Sequence, residues 1–470
     1  MMRSGSGWQH CWVVLLLVGY AATASAARSQ TLDQALVSAY DANPSLNSQR
    51  AATRATDEYV PIALGGYRPQ VFGSASIGTQ WVEGRYNTGT GNGSVTSHYK
   101  TDPSSIGITI SQTIYDGLKT ANSVRGAESQ VKGQRELLRN TEQTVLLDAA
   151  TAYMNVLQNS ALVDLRKQNL AAFQEELRSA RERFAVGEIT RTDVAQAEAS
   201  VANAQSTLAE ATANLNTAGA VFFQVTRLKA SKLAPGRPID PMLPKSLDAA
   251  VAMGLSRHPA ILAAQYAVDQ GQANVKVSEA ALSPTLTLNG EAASQYNYYD
   301  DGDPVARGTS AAATLNLSVP IYQGGSEFAN IRESKELLSQ SRIEVDVNRD
   351  QVRANVVQYW GALVAAKDAI ESAQASVAAN EIALRGVRQE WRVGQRTTLD
   401  VLNAQTALFD ARASLVTAQR DRVVASYAVL SSVGELSATR LKLKVATYNP
   451  KIHYNQVRDA WIGVRTPGGQ

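Results

Sequence analysis

Two acidic residues stand in matching surroundings. Asp193 follows Thr190 in VGEITRTDV (186–194), and Asp400 follows Thr397 in VGQRTTLDV (393–401). A carboxylate can move protons, ligate a cation, line a pore or cap a helix. The first two uses need partners that the sequence does not supply. The histidines, His10, His98, His258 and His453, are widely separated, and the one cysteine, Cys11, lies in the N-terminal segment. There is no metal-ligand spacing, no Gly-rich phosphate loop and no nucleophile motif. Enzymatic chemistry, a cofactor and a bound metal are therefore not expected. The Thr-x-x-Asp spacing does fit a helix-starting capping box. Gly187 and Gly394, just upstream, fit a helix end, where a left-handed backbone is easiest for glycine. Each segment then reads as a sharp reversal between two helices.

The helices to be reversed are very long. From Leu118 to Val186 there is no proline and the only internal glycines are Gly126 and Gly133; from Ser326 to Val393 the pattern returns with Gly361 and Gly386. At 1.5 Å per residue each run reaches roughly 100 Å, so it must pack lengthwise against others. The returning stretches carry the seam for this. Val194, Ala197, Val201, Ala204, Leu208, Ala211 and Leu215 alternate spacings of three and four, as do Val401, Ala404, Leu408, Ala411, Leu415 and Ala418. That is a heptad pattern, which packs knobs into holes.

These hairpins belong to a larger duplication. TLDQALVSAYDANPSL (31–46) matches SLDAAVAMGLSRHPAI (246–261), Pro69 matches Pro284, and IYDG (114–117) matches IYQG (321–324). The expected organisation is a signal peptide (1–26), a first repeat (27–232) and a second repeat (245–440), joined by a Pro-rich linker (233–244), with a tail (441–470). The first repeat carries a β-hairpin (70–115) and a helical hairpin (118–230), the second a β-hairpin (285–322) and a helical hairpin (326–438). Each repeat opens on an N-capped helix at Thr31 or Ser246, broken at an Asn-Pro or His-Pro step. Prolines at 235, 238, 241 and 244 predict an extended polyproline-II linker.

The hairpin segments alternate with a period of two. Ile106, Ile108, Ile110 and Ile114 oppose Ser105, Thr109, Ser111 and Thr113; Val71, Ala75, Ile77 and Trp81 oppose Gln70, Ser74, Ser76 and Gln80. Leu286, Leu288 and Ala292 oppose Thr287, Asn289 and Glu291; Leu315, Leu317, Val319 and Ile321 oppose Thr314, Asn316 and Ser318. Tyr67, Tyr115 and Tyr322 cluster at one end, and Trp81, Tyr86, Tyr99, Tyr296, Tyr298 and Tyr299 at the other. Alternation with aromatic girdles is the pattern of an outer-membrane β-barrel. Four strands cannot close one, and an open edge in lipid leaves backbone groups unpaired. The strands therefore predict an oligomer; two copies would give eight strands and three would give twelve.

Composition agrees. Charge is nearly balanced, 45 Lys and Arg against 42 Asp and Glu, with no basic stripe for nucleic acid. Arg3, the apolar run WVVLLLVGYAA (12–22) and Ala24-Ser25-Ala26 form an export signal. Cleavage there would remove Cys11 and leave no thiol and no acylation site. No later segment offers 18 consecutive apolar residues.

With IYQGG (321–325), VGEITRTDV and VGQRTTLDVLNAQ (393–405), the chain resembles the TolC family of outer-membrane efflux and secretion channels over nearly its whole length. The resemblance implies a mostly helical protomer with membrane β-strands. Three would share a twelve-stranded barrel continued by a hollow α-helical barrel across the periplasm of a Gram-negative bacterium. It also implies outer-membrane lipid, a periplasmic adaptor and an inner-membrane ABC or proton-driven transporter as partners. Asp400 would line the narrowest part of the pore, where repulsion among three copies should ease protonation. The family usually has a second acid one turn later; here that position is Asn403, which should weaken the ring. At the closed tip, Trp391, at a place often held by tyrosine, and Arg396 would meet Thr192 and Asp193, with Arg396 as the latch. Drug efflux and protein secretion are both open as tasks, secretion slightly ahead. The competing reading is a non-channel periplasmic or surface coiled-coil structural protein, which leaves the strands unexplained.

Overall fold

A computed structural model describes residues 29–87, 94–299 and 306–469. The proposed signal segment, with His10 and Cys11, lies outside the described residues, as do the side chains of Tyr86, Tyr99, Tyr298 and Tyr299. In chain order the elements are α1 (Leu32–Ala42), α2 (Pro44–Asp57), α3 (Tyr59–Leu64), β1 (Gln70–Ile77), β2 (Gln80–Asn87), β3 (Ser94–Tyr115), α4 (Lys119–Ala185) and α5 (Arg191–Thr226). The second repeat follows as α6 (Leu247–Arg257), α7 (Pro259–Glu279), β4 (Thr285–Tyr299), β5 (Ala306–Ser318), α8 (Ser326–Arg392) and α9 (Thr398–Ser432), then α10 (Pro450–Val457) in the tail.

The paired architecture comes from paired local chemistry. Thr31 and Ser246 cap α1 and α6. Asn43 and His258 each end one helix and start the next, with proline at the first helical position, where a missing N–H costs nothing. The first repeat has an extra break: Pro61 clashes with the carbonyl four residues back, so α2 stops at Asp57 and α3 restarts at Tyr59. α7 has no such proline and runs 21 residues unbroken.

α4 and α8 are each 67 residues long. α4 lies against α5, α7 and α9, and α8 lies against α7 and α9. The expected seam is the packed face: Ala197, Val201, Ala204, Val401, Leu408, Ala411 and Ala418 are buried. The main core forms where the short helices meet the long ones, around Leu36, Leu146, Tyr153, Phe222, Val356 and Leu430. The Tyr153 hydroxyl lies 2.8 Å from the Gln30 carbonyl and 2.6 Å from that of Ala234. A parallel bridge between Gln30 and Leu233 joins the start of the linker to the start of the described chain. The linker itself is not a uniform extended rod; Asp240–Met242 forms a 3-10 turn.

The strands form one antiparallel sheet in the order β1-β3-β4-β5, with β2 also on β3. β1 and β2 hold the same register on β3: Ile77 faces Ser104 and Gln80 faces Thr101. The strand expected over 70–82 is thus one track interrupted at Gly78 and Thr79. The cause is Pro103 on the opposite strand, which has no N–H to give; its carbonyl accepts from Gly78 N–H at 2.9 Å. β3 is also longer than its expected 104–115, starting at Ser94. A bulge between Thr113 and Tyr115 leaves Ile114 unpaired and puts Tyr115 opposite Leu286, so Ile114 does not continue the Ile106–Ile110 ladder. β5 stops at Ser318 rather than 321, just before Pro320.

Candidate functional site

The residues singled out from the sequence gather at the far end of the two helical hairpins. At the end of α4, Gly187 has φ 81°. Its N–H donates to the Phe184 carbonyl at 3.0 Å, and Glu188 N–H donates to the Arg183 carbonyl at 2.9 Å. Gly394 has φ 77° and repeats the arrangement on Trp391 and Glu390, at 3.0 and 2.9 Å. Both are Schellman closures, satisfying carbonyls that the ending helix leaves free.

The next helix starts on its capping box. Thr190 N–H donates to Asp193 Oδ2 at 2.9 Å, and Asp193 N–H returns to Thr190 Oγ1 at 3.3 Å. Thr397 and Asp400 do the same at 3.0 and 3.2 Å. Both threonine hydroxyls also donate to the same carboxylate. The donors from the Thr397 backbone and side chain, with Arg396 nearby, hold the Asp400 carboxyl below the usual range. Within one chain, capping therefore opposes the easier protonation expected of Asp400. Asn403, one turn on, is exposed.

The expected closing network is only partly assembled within the chain. Arg396 Nε donates to Glu390 Oε2 at 2.8 Å, on its own hairpin, and Asp193 is occupied by Thr190. Among the described residues no hydrogen bond or ion pair joins Arg396 or Trp391 to Thr192 or Asp193. Local geometry decides: Glu390 lies across the same short turn as Arg396, whereas Asp193 already accepts two donors. Trp391 does reach the other hairpin, by a different residue. The Arg183 guanidinium lies 4.5 Å from the centre of its ring, a cation–π contact. Arg183 is held in turn by Glu188 at 2.9 Å. Further up, Arg388 Nη2 donates to Glu176 Oε1 at 3.2 Å, and Phe173, Val201, Ala204 and Leu402 form an apolar cluster shared by α4, α5 and α9. Arg183, Glu390, Arg388 and Glu176 were not picked out from the sequence. Their signal is weak there, because arginine and glutamate are also the ordinary furniture of solvated helix faces.

At the opposite end of the molecule the sheet has a polar and an apolar face. Directly paired residues share a face, so Val71, Ile106, Ile108, Ile110, Leu288 and Leu315 project one way. Ser76 and Ser105 share a hydrogen bond of 2.8 Å on the other face, as do Ser111 and Asn289. The apolar side chains are not covered: Val71 is 62% exposed, Ile106 66% and Leu315 62%. No helix among the described residues is long and apolar enough to cross a membrane. Among the described residues, β1, β2 and β5 each pair on one side only.

A family model described as outer membrane efflux protein matches residues 32–224 and 251–435. The chain is 45% identical over 456 residues to the outer membrane efflux protein BepC of Brucella suis biovar 1, covering 97% of this chain and 96% of that one. It is 29% identical over 360 residues to the outer membrane protein TolC of Vibrio cholerae, covering 72% and 78%. Among solved structures, the Campylobacter jejuni CmeC outer membrane channel matches with a TM-score of 0.76 at 16% identity, over 91% of this chain and 89% of that one. That last likeness is one of fold.

Proposed function

The chain belongs to the outer membrane efflux protein family, and from that premise we propose that three copies form one exit duct. Their sheets join edge to edge into a twelve-stranded barrel, and their helical hairpins continue it as a tunnel into the periplasm. The observation that carries this is the sheet. It presents an exposed apolar face and, among the described residues, outer edges on β1, β2 and β5 with no partner strand. In lipid an open edge costs several kcal/mol per unpaired group, and pairing with a neighbour's edge removes that cost. The 67-residue helices would extend the conduit by about 100 Å, with a periplasmic adaptor and an inner-membrane pump at its end. The non-channel coiled-coil reading has no use for such a sheet.

At the tip, Asp400 from each copy would face the axis and favour cations, with Asn403 leaving the ring a single acid deep. Opening would part the two hairpins where Trp391 meets Arg183, a two-state motion. Drugs and proteins are both candidate cargo. A deletion strain compared with its parent for secreted proteins and for drug tolerance separates the two.

The decisive measurement is the mass of the purified complex in detergent together with its conductance in a planar bilayer. The expected result is a trimer that conducts. A stable monomer that stays out of membranes would refute the proposal.

A further inference from the structure

We propose that the C-terminal tail anchors the protein to lipid: Trp461, Ile462 and Val464 enter the periplasmic leaflet of the outer membrane at the foot of the sheet. The inference rests on the barrel reading above, which makes the isoleucine face the lipid face and the serine face the lumen.

The tail is held at a definite height. α10 docks on α2, with Val457 buried and His453 Nδ1 3.1 Å from Oδ2 of the buried Asp57. Arg458 then reaches Glu128 on α4 at 3.8 Å. Beyond α10 the chain meets the foot of β1. Arg68 Nη1 donates to the Ala460 carbonyl at 2.7 Å, and its guanidinium lies 4.8 Å from the centre of the Trp461 ring. Arg68 stands two residues before β1. Gln112, which pairs with Leu288, donates from Nε2 to the neighbouring Tyr67 carbonyl at 2.9 Å. This corner is therefore level with the lower end of the apolar face, where Tyr67 and Tyr115 are exposed. The chain turns at Gly463, φ 127°. Pro467 and Gly468 then line a cavity with Arg50 and Arg54 of α2, so Trp461 to Val464 form the crest of a loop.

The fold also sets the side. Residues two apart lie on opposite sides of a helix. On α3, Val60 and Leu64 pack with Tyr454 of α10, whereas Ile62 lines a cavity with Thr113 and Thr287. Those threonines continue the polar face of Ser111 and Asn289. The tail therefore lies on the side of the wall away from the lumen, which is the side of the apolar sheet face. Single exposed apolar residues are ordinary on a protein surface. Here Trp461 is 67% exposed, Ile462 96% and Val464 100%, all on one crest. At this height and on this side the medium is lipid headgroup and upper acyl chain. That medium suits an indole beside an arginine, with aliphatic side chains next to it.

The test uses the full-length complex in phosphatidylcholine nanodiscs. The only cysteine, Cys11, lies in the expected signal segment, so an introduced cysteine takes the label alone. Ile462→Cys, Ile106→Cys on the sheet face and Lys167→Cys, exposed on α4, are each labelled with a fluorophore. Each is then challenged with a nitroxide-bearing phosphatidylcholine and, separately, with iodide. The expected result is lipid quenching at Ile462 comparable with that at Ile106 and roughly threefold above that at Lys167, with little quenching by iodide. Quenching at Ile462 by iodide but not by lipid would put the tail in water and overturn the proposal. Quenching by neither would put it under protein, a neighbouring copy or another partner, and overturn it too. The emission of wild type minus Trp461→Phe, read with the same nitroxide lipid, decides if the labelled variants fail to assemble. Ile106 separates the two readings. If it also escapes the lipid quencher, the barrel reading fails; if it is quenched and Ile462 is not, this inference alone fails.

Discussion

The two repeats differ at one helix junction in a way that pH should expose. Asn43 Oδ1 accepts from Ser45 N–H at 2.9 Å and Leu46 N–H at 3.2 Å. Its counterpart, His258, caps α7 with Nδ1, which accepts from Ala260 N–H at 3.2 Å. A protonated Nδ1 cannot accept. Burial, and then the charge of Arg139, push the His258 pKa from 6.5 down to about 4. The other groups packed here are Gly434 at the end of α9 and the Arg257–Glu435 pair. Because the folded pKa is lowered, the unfolded chain binds more protons between the two values, so stability falls as pH drops from 6.5 towards 4. Integrating that difference from pH 7.5 to pH 5 gives a loss of about 2 kcal/mol per protomer. The assay is denaturant unfolding of the purified complex at both pH values, followed by tryptophan fluorescence, since Trp360 packs on the main core. His258→Asn should keep the cap and remove this part of the pH dependence. His258→Ala should lose about 1 kcal/mol of capping at both pH values. Taking wild type minus His258→Asn at each pH cancels titration elsewhere. If that difference is the same at pH 7.5 and pH 5, the capping argument is wrong.

Other expectations follow from particular contacts. Gly434 has φ 83°, and an added Cβ would lie 2.8 Å from His258 Cα; Gly434→Ala should cost more than 2 kcal/mol in the same denaturation. Gly187→Ala meets nothing within 4 Å and should cost only the left-handed backbone, about 1–2 kcal/mol. Trp391→Leu removes the half-buried contact with Arg183, worth about 1 kcal/mol. It should raise single-channel conductance in a planar bilayer more than Arg396→Ser, whose arginine is bound within its own hairpin; the reverse order would restore Arg396 as the latch. Asp400→Asn should lower cation preference, and an unchanged reversal potential in a salt gradient would take Asp400 out of the pore.

What could be read from the sequence was what is decided over a few residues. Gly187, Thr190 and Asp193 fix a turn among themselves, and Val201 and Leu408 declare a buried face by spacing alone. The strand faces were legible for the same reason, wherever pairing was regular. They failed where the partner strand intervened: the break at Gly78 is caused by Pro103, and the loss of Ile114 from its ladder by a bulge against β4. The contact of Arg183 with Trp391 was invisible because it depends on how two hairpins dock. The family resemblance pairs Arg396 with Asp193, whereas in the fold a nearer acid, Glu390, lies in the same turn.

The tip also shows what duplication left free to change. Aligning Gly187 with Gly394 puts Arg183 and Glu390 at the same place in their helices. In the first hairpin the arginine precedes the turn and pairs with Glu188 beyond it; in the second the glutamate precedes it and pairs with Arg396 beyond it. The backbone closures are the same, but the charge order is reversed. Each turn neutralises itself whichever charge comes first, and the Arg183 guanidinium also lies against the Trp391 ring. Exposed pairs of this kind contribute little to stability, about 0–1 kcal/mol each, so their value lies in register. They distinguish one hairpin from the other at the point where the proposed duct must open, and being internal to each turn they stay intact while the Arg183–Trp391 contact parts.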